Sequence, residues 1–89
     1  MSGVVMDRED MRGITKFRLD TLFFLLDRYV RQGCADAARS TRAQISGLLF
    51  LASGLGILEE GEKDAYEEES FRRCYSVYHH EGGSREAAT

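Results

Sequence analysis

The sequence contains no proline, and this absence bears directly on the fold. Proline breaks helices and punctuates the turns of strand-rich domains, so a chain without it favours helices throughout. Cysteine is scarce as well. The two cysteines, Cys34 and Cys74, exclude a disulfide framework and predict reduced thiols in a cytoplasmic protein.

Long hydrophobic runs and secretion signals are also missing. The longest stretch without charge, residues 43–58, contains three glycines, two serines and a glutamine, so it is too short and too mixed for a membrane span. Asp7, Glu9 and Asp10 stand near the start, where a secretory signal would be basic. We therefore expect a cytoplasmic protein without a membrane-spanning segment.

Basic charge is in short supply. Lys and Arg number 12 against 15 Asp and Glu, which gives a net charge of -3. Phosphate affinity depends on clustered Lys and Arg, so direct binding to nucleic acid is not expected. The acidity is concentrated in residues 59–69, an acidic segment with seven carboxylates and one lysine.

Apolar periodicity predicts three helices, at about residues 14–32, 41–54 and 62–80 of a single domain spanning 7–80, and an extra first turn starting near Asp7 is left open. Residues 1–6 are expected to fray, and residues 81–89 to form a flexible tail. Gly33 follows the first helix at the position of a left-handed cap. One arc of that helix is apolar and is expected to face the core: Leu19, Leu22, Phe23, Leu25, Leu26, Tyr29 and Val30.

The second helix is predicted to begin at Thr41, because Thr41 to Gln44 fits a capping box. Its expected core face comprises Ile45, Leu48, Leu49, Ala52 and Leu55. The expected core face of the third helix comprises Phe71, Cys74, Tyr75 and Tyr78. Short connections favour antiparallel neighbours, so the predicted fold is all-α, a small three-helix up-down-up bundle.

The second helix has no charge on any side between Arg42 and Glu59. A helix that is apolar all round is normally buried all round, and two partner helices do not easily cover it. A second copy of the chain is the simplest cover, although burial by the first helix and the termini of one monomer is the alternative. The predicted oligomer seam lies opposite the core face and comprises Ala43, Gly47, Phe50 and Gly54.

The acidic segment has two interpretations. It is either a solvated helix start that suits the helix dipole, or a negative patch for a protein with a basic surface. Tyr66 lies off the predicted apolar face, so it is expected to be an exposed contact. The partner-binding residues on the second interpretation are Glu59, Glu60, Glu62, Asp64, Tyr66, Glu67, Glu68 and Glu69.

The sequence contains no convincing motif for a metal site, a cofactor site or a catalytic centre. Two cysteines and two histidines are present, but Cys34, Cys74, His79 and His80 do not have zinc-module spacing. The glycines of Gly54-Leu55-Gly56 lack the third member of a dinucleotide fingerprint and a preceding strand. No Ser or Cys stands in the context of a nucleophile, so neither an enzyme nor a cofactor is expected.

The functional hypothesis is a non-enzymatic protein–protein interaction module built on a self-associating helical bundle. Such a module would be an adaptor, a co-chaperone, or an inhibitor of the kind encoded by phages or plasmids, and would occupy a basic site on its partner. The alternative is a small DNA-binding transcriptional regulator, which the leucine- and glycine-rich second helix and the acidic third helix both disfavour.

Overall fold

The computed structural model describes the backbone of residues 7–88 and the side chains of residues 7–76. These residues form three helices, α1 (Arg8–Arg31), α2 (Ala35–Gly54) and α3 (Glu60–Ala88), and the described chain contains no strand. Each helix packs against both others. The predicted all-α three-helix bundle is thereby confirmed.

The first helix begins at Arg8, so the extra turn near Asp7 that the sequence left open before Ile14 is present. Asp7 is its N-cap, and the Asp7 carboxylate accepts a hydrogen bond of 2.8 Å from the Asp10 amide. Glu9 and Asp10 in the first turn suit the positive end of the helix dipole. These turns are largely polar, so their helix is stabilised by capping rather than by the apolar pattern.

Gly33 ends α1 as the sequence predicts. Its φ of 72° is the left-handed conformation that glycine adopts without steric cost. The Cys34 amide donates to the Tyr29 carbonyl at 2.9 Å, and the Gly33 amide donates to Val30 at 3.1 Å. This pair of bonds is a Schellman motif, which satisfies carbonyls that the helix end would leave without donors.

Gly56 closes α2 by the same device, with a φ of 74°. The Ile57 amide donates to the Ala52 carbonyl at 2.8 Å, and Ile57 is buried there. The Gly56 carbonyl in turn accepts from Arg8 Nε at 2.9 Å. The beginning of α1 therefore lies beside the end of α2, as in an antiparallel pair.

The second helix begins at Ala35, not at Thr41. Thr41 lies inside α2, where its side chain is buried and its hydroxyl donates to the Ala37 carbonyl at 2.8 Å. Alanine is the best helix former, and Ala38 is fully buried in the core. Helix propensity and burial therefore extend α2 through the residues that were expected to form a connector.

The core lies between α1 and α2 and is closed by α3. Leu19 and Leu26 of α1 and Ile45 and Leu49 of α2 are fully buried, as their periodicity predicts. Leu55 departs from the prediction because it is the C-cap of α2 and remains 64% exposed. The remaining buried apolar residues are Leu22, Phe23, Ala38, Ala52, Ile57, Leu58 and Cys74.

The core face of α3 is not the predicted one. Cys74 is buried, but Phe71 and Tyr75 are 57% and 54% exposed. Ser70 is fully buried instead, and its hydroxyl donates to the Glu67 carbonyl at 2.9 Å. A small side chain with a satisfied hydroxyl can be buried at little cost, so the stripe through Ser70 and Cys74 faces the core.

The third helix continues to Ala88, past the predicted end at His80. The prediction for Tyr78 concerns a side chain outside the described range, as do those for His79 and His80. Residues 1–6 and Thr89, which were expected to fray or to belong to a tail, also lie outside the described residues.

The left-handed cap at Gly33 gives a direct test of the fold. Gly33→Val should lower the free energy of unfolding by about 1 kcal/mol or more, because a β-branched residue is strained at positive φ. Gly33→Asn should lose less, since Asn tolerates this conformation. Urea unfolding followed by far-UV circular dichroism measures both, and equal stability of the valine variant and the wild type would contradict the cap.

Candidate interaction surfaces

The outer face of α2 carries the predicted oligomer seam. Ala43, Gly47, Phe50 and Gly54 are all exposed, on the side of the helix opposite Ile45 and Leu49. The Phe50 side chain is 76% exposed, and the flanking Leu51 and Leu55 are also exposed. From Ala43 to Gly54 this face has no charged residue, whereas the first turns of α2 carry the exposed ion pair of Asp36 and Arg39.

The two seam glycines are not required by packing within the chain. A Cβ atom built on Gly47 or Gly54 would meet no other atom within 4 Å. Each glycine nevertheless costs the helix about 0.5–1 kcal/mol relative to alanine. They leave shallow depressions in the helix surface on either side of the Phe50 ring.

The acidic segment does not act as one surface, because Glu62 is bound within the bundle. Arg12 Nη1 donates to Glu62 Oε1 at 2.7 Å, and Arg12 Nη2 forms a second bond to the same carboxylate. Lys16 Nζ lies 3.3 Å from Glu62 Oε2, and the Glu59 amide also donates to Glu62. These donors, chiefly Arg12, lower the pKa of Glu62 to about 2. Glu62 therefore joins α3 to α1.

Glu69 is also engaged, in a second bridge between α3 and α1. Arg73 Nε donates to Glu69 at 2.5 Å, and Arg73 Nη1 donates to Asp27 of α1 at 2.9 Å. The guanidinium of Arg73 lies 5.0 Å from the centroid of the Phe23 ring. Hydrogen bonding to Arg73, with a further contribution from Arg72, lowers the pKa of Glu69.

Four carboxylates of the acidic segment remain exposed. Glu67 belongs to the engaged group, because it accepts a hydrogen bond of 2.6 Å from the Ser46 hydroxyl of α2. Lys63 lies 3.7 Å from a Glu60 oxygen and 4.0 Å from an Asp64 oxygen. The patch available to a basic partner is thus smaller than predicted. Its exposed members are Glu59, Glu60, Asp64 and Glu68.

Tyr66 is not the exposed residue that the sequence predicts. It is half-buried and packs against the core, with its ring centroid 6.0 Å from that of Phe23. Tyr66 is spaced four residues before Ser70, and so shares its buried stripe. Its aromatic ring closes the core where the other members of the stripe are small.

Two features on the remaining surface were not anticipated from the sequence. Between α1 and α3 lies a groove lined by Phe24, Asp20 and the Arg73 bridge. Between α2 and α3 lies a second, smaller cleft where Arg42 and Phe71 meet. The exposure of Phe71 depends on which face α3 turns to the core, and the apolar pattern of α3 indicated the wrong face.

The described residues offer little for metal chemistry or for a bilayer. Within residues 7–76, no group of three or more His, Cys, Asp or Glu side chains is placed to hold a metal ion. Cys34 is exposed and Cys74 is buried, and both are free thiols. Of the helices described, none combines the length and the apolar character needed to cross a membrane.

Comparisons of the chain with protein-family models, with curated proteins and with solved structures found no match. No residue role is therefore transferred from another protein. What the chain does has to follow from its own burial, contacts and charge.

The Glu62 bridge predicts a specific dependence of stability on pH. The folded-state pKa of about 2 lies below the ordinary 4.5, so the bridge stabilises fully above about pH 4.5. That contribution is lost as the pH falls towards 2. Glu62→Gln should therefore be less stable than wild type at neutral pH, and the difference should shrink over this window.

Urea unfolding at a series of pH values measures the effect. Glu68→Gln, at an exposed position of the same segment, is the matched control and should follow the wild type. Parallel stability curves for wild type and Glu62→Gln down to pH 2 would show that the bridge contributes nothing.

Proposed function

We propose that this chain is a non-enzymatic protein–protein interaction module that self-associates through the outer face of α2. The observation that supports this most is the exposure of Phe50, 76%, on a stretch of the α2 face, residues 43–54, that carries no charge. Burying such a side chain is worth about 1.5–3 kcal/mol, and exposed apolar faces of this kind mark interfaces. A DNA-binding role has less support, since residues 43–54 offer no basic group to phosphate.

A second copy of the chain fits this face better than a charged partner does. Two uncharged faces meet without leaving a charge unpaired, and a twofold interface needs a self-complementary surface. Phe50 supplies a projection, and Gly47 and Gly54 supply the depressions on either side of it. An antiparallel pair of α2 helices would place each ring against the glycines of the other copy.

A protein with a basic surface is the second partner in this proposal. The exposed carboxylates of the acidic segment are free of the bridges that hold Glu62 and Glu69, so they face solvent. Exposed like charges chiefly raise the rate of encounter with an opposite surface, and salt screens them. An adaptor, a co-chaperone or an inhibitor would use them to reach a basic site.

Self-association is tested by placing a charge in the seam. Phe50→Glu and Gly47→Glu should each reduce a wild-type dimer to monomer, because an unpaired carboxylate cannot be buried there. Ala65→Glu places the same charge on an exposed position of α3 and should leave the assembly intact. Light scattering and sedimentation at high micromolar concentration decide it, and a monomeric wild type would end the proposal.

A methyl group added at Gly47 is expected to have opposite effects on the stability of the chain and on its self-association. Gly47→Ala should raise the stability of an isolated chain by about 0.5–1 kcal/mol, because the added Cβ meets no atom of the chain. It should also weaken association if a second backbone approaches Gly47. A variant that is more stable and associates as well as wild type would place the contact elsewhere on the molecule.

The acidic segment is tested by charge reversal at its exposed positions. Reversing Glu60, Asp64 and Glu68 to Lys should reduce the capture of basic proteins from an extract of the native host at low salt. A matched triple reversal, at exposed acids outside the segment, changes the net charge equally and should retain capture. Equal losses in both variants would mean that net charge alone attracts these proteins. The matched positions are Glu9, Asp20 and Asp36.

A further inference from the structure

The cleft between α2 and α3 combines a cation with exposed aromatic rings. Its volume is about 190 Å³, comparable to a single side chain, and its walls are Arg39, Arg42, Phe71, Cys74 and Tyr75. The Phe71 and Tyr75 rings are stacked, with centroids 6.2 Å apart and an angle of 14° between planes. Both rings are more than half exposed, whereas Cys74 is buried. The cleft is therefore open to solvent along an aromatic wall.

Arg42 differs from the arginines that hold the bundle together. Arg12 and Arg73 both bind carboxylates, but Arg42 has no hydrogen bond or ion pair within the described part of the chain. Its guanidinium lies over the Phe71 ring, 5.2 Å from the centroid. Its Nε is buried and has no acceptor among the described residues. Because Nε is enclosed, a ligand in the cleft has to approach the two Nη groups at the end of the guanidinium.

We propose that this cleft binds the carboxylate of an acidic residue in a partner protein, with an apolar neighbour of that residue resting on the stacked rings. A carboxylate matches a guanidinium with two parallel hydrogen bonds, and the two Nη groups of Arg42 supply both donors because Nε is buried. The Phe71 face holds the guanidinium plane, and the buried Cys74 keeps one wall apolar. Both features strengthen a charge-assisted hydrogen bond.

An acidic peptide segment suits the cleft better than a nucleic acid does. Arg39 already pairs with Asp36, so Arg42 is the cation of this cleft that lacks a carboxylate within the described chain. Nucleic acids bind through several phosphate contacts, and the chain as a whole carries a charge of -3. The cleft has room for one carboxylate-bearing side chain, and its apolar neighbour rests on the exposed faces of Phe71 and Tyr75.

This site is separate from the proposed seam. Arg42 and Ser46 lie on the side of α2 that faces α3, as their contacts with Phe71 and Glu67 show. The seam residues lie on the outer face of the same helix. Loss of self-association would therefore leave this proposal intact, and loss of carboxylate binding would leave the proposed self-association intact.

The experiment uses the full chain and two blocked dipeptides, acetyl-Glu-Phe-amide and acetyl-Gln-Phe-amide. Nuclear magnetic resonance follows the Arg42 Nε–Hε signal and the amides around Phe71. The Glu dipeptide should shift both saturably, and the Gln dipeptide should bind about tenfold more weakly or worse, since it lacks the charge.

Two substitutions separate binding from folding. Arg42→Lys keeps the charge but removes the second hydrogen-bond donor. It should weaken binding of the Glu dipeptide at least about fivefold, as measured by the amide shifts. Arg28→Lys, at an exposed position of α1, should bind as wild type does. Phe71→Leu keeps an apolar side chain and should weaken both dipeptides, which provides a second measurement if Arg42→Lys unfolds.

Inorganic phosphate and an oligothymidylate complete the test. Equal binding of the two dipeptides, or no shift of the Arg42 signal at saturating Glu dipeptide, would overturn the proposal and leave Arg42 as a structural cation–π contact. Tighter binding of the oligothymidylate than of the Glu dipeptide would overturn it in favour of nucleic acid. Weaker binding of inorganic phosphate than of the Glu dipeptide would support a peptide carboxylate as the anion that the cleft binds.

Discussion

The docking of the described part of α3 relies on two arginine bridges, since the side chains of residues 60–76 offer the core little apolar surface. Its buried stripe consists of Tyr66, Ser70 and Cys74, of which Ser70 contributes almost no hydrophobic free energy. Arg12 binds Glu62 at one end of the interface, and Arg73 joins Glu69 to α1 further along. Each bridge is partly shielded and multidentate, so it fixes the position of α3 better than a solvated ion pair would.

This dependence explains why the acidic segment is divided between two roles. Glu62, Glu67 and Glu69 are engaged within the bundle, and the arginines that bind Glu62 and Glu69 lower the pKa of those two carboxyls. The carboxylates on the outer side of the same helix turns are not bound by these donors. A run of acids that looks uniform along the sequence therefore forms bonds within the bundle on one side of the helix and a charged surface on the other.

The sequence predicted what local chemistry controls and missed what long-range pairing controls. The apolar arc of α1 and the cap at Gly33 follow from periodicity and from the conformational freedom of one glycine. The rotation of α3 about its own axis could not be predicted from periodicity. Arg12 and Glu62 are 50 residues apart, and their pairing leaves no periodic signal in the sequence. Hydrophobicity alone selected Phe71 and Tyr75 for the core. The predicted seam residues on α2 are exposed, since the core face opposite them was correct apart from Leu55.

The rotation of α3 also determines which side chains line the cleft beside Arg42. Turning Ser70 inward turns Phe71 outward beside Arg42, so an aromatic ring becomes available to a cation that has no carboxylate of its own. The Ser46–Glu67 hydrogen bond joins α2 to α3 on the same side of α2 as this cleft. Two copies that meet through α2 repel each other through their net charge of -3, which salt screens. In the proposed assembly, contacts between copies should therefore strengthen with salt, whereas the proposed contacts of the acidic segment with a basic partner should weaken.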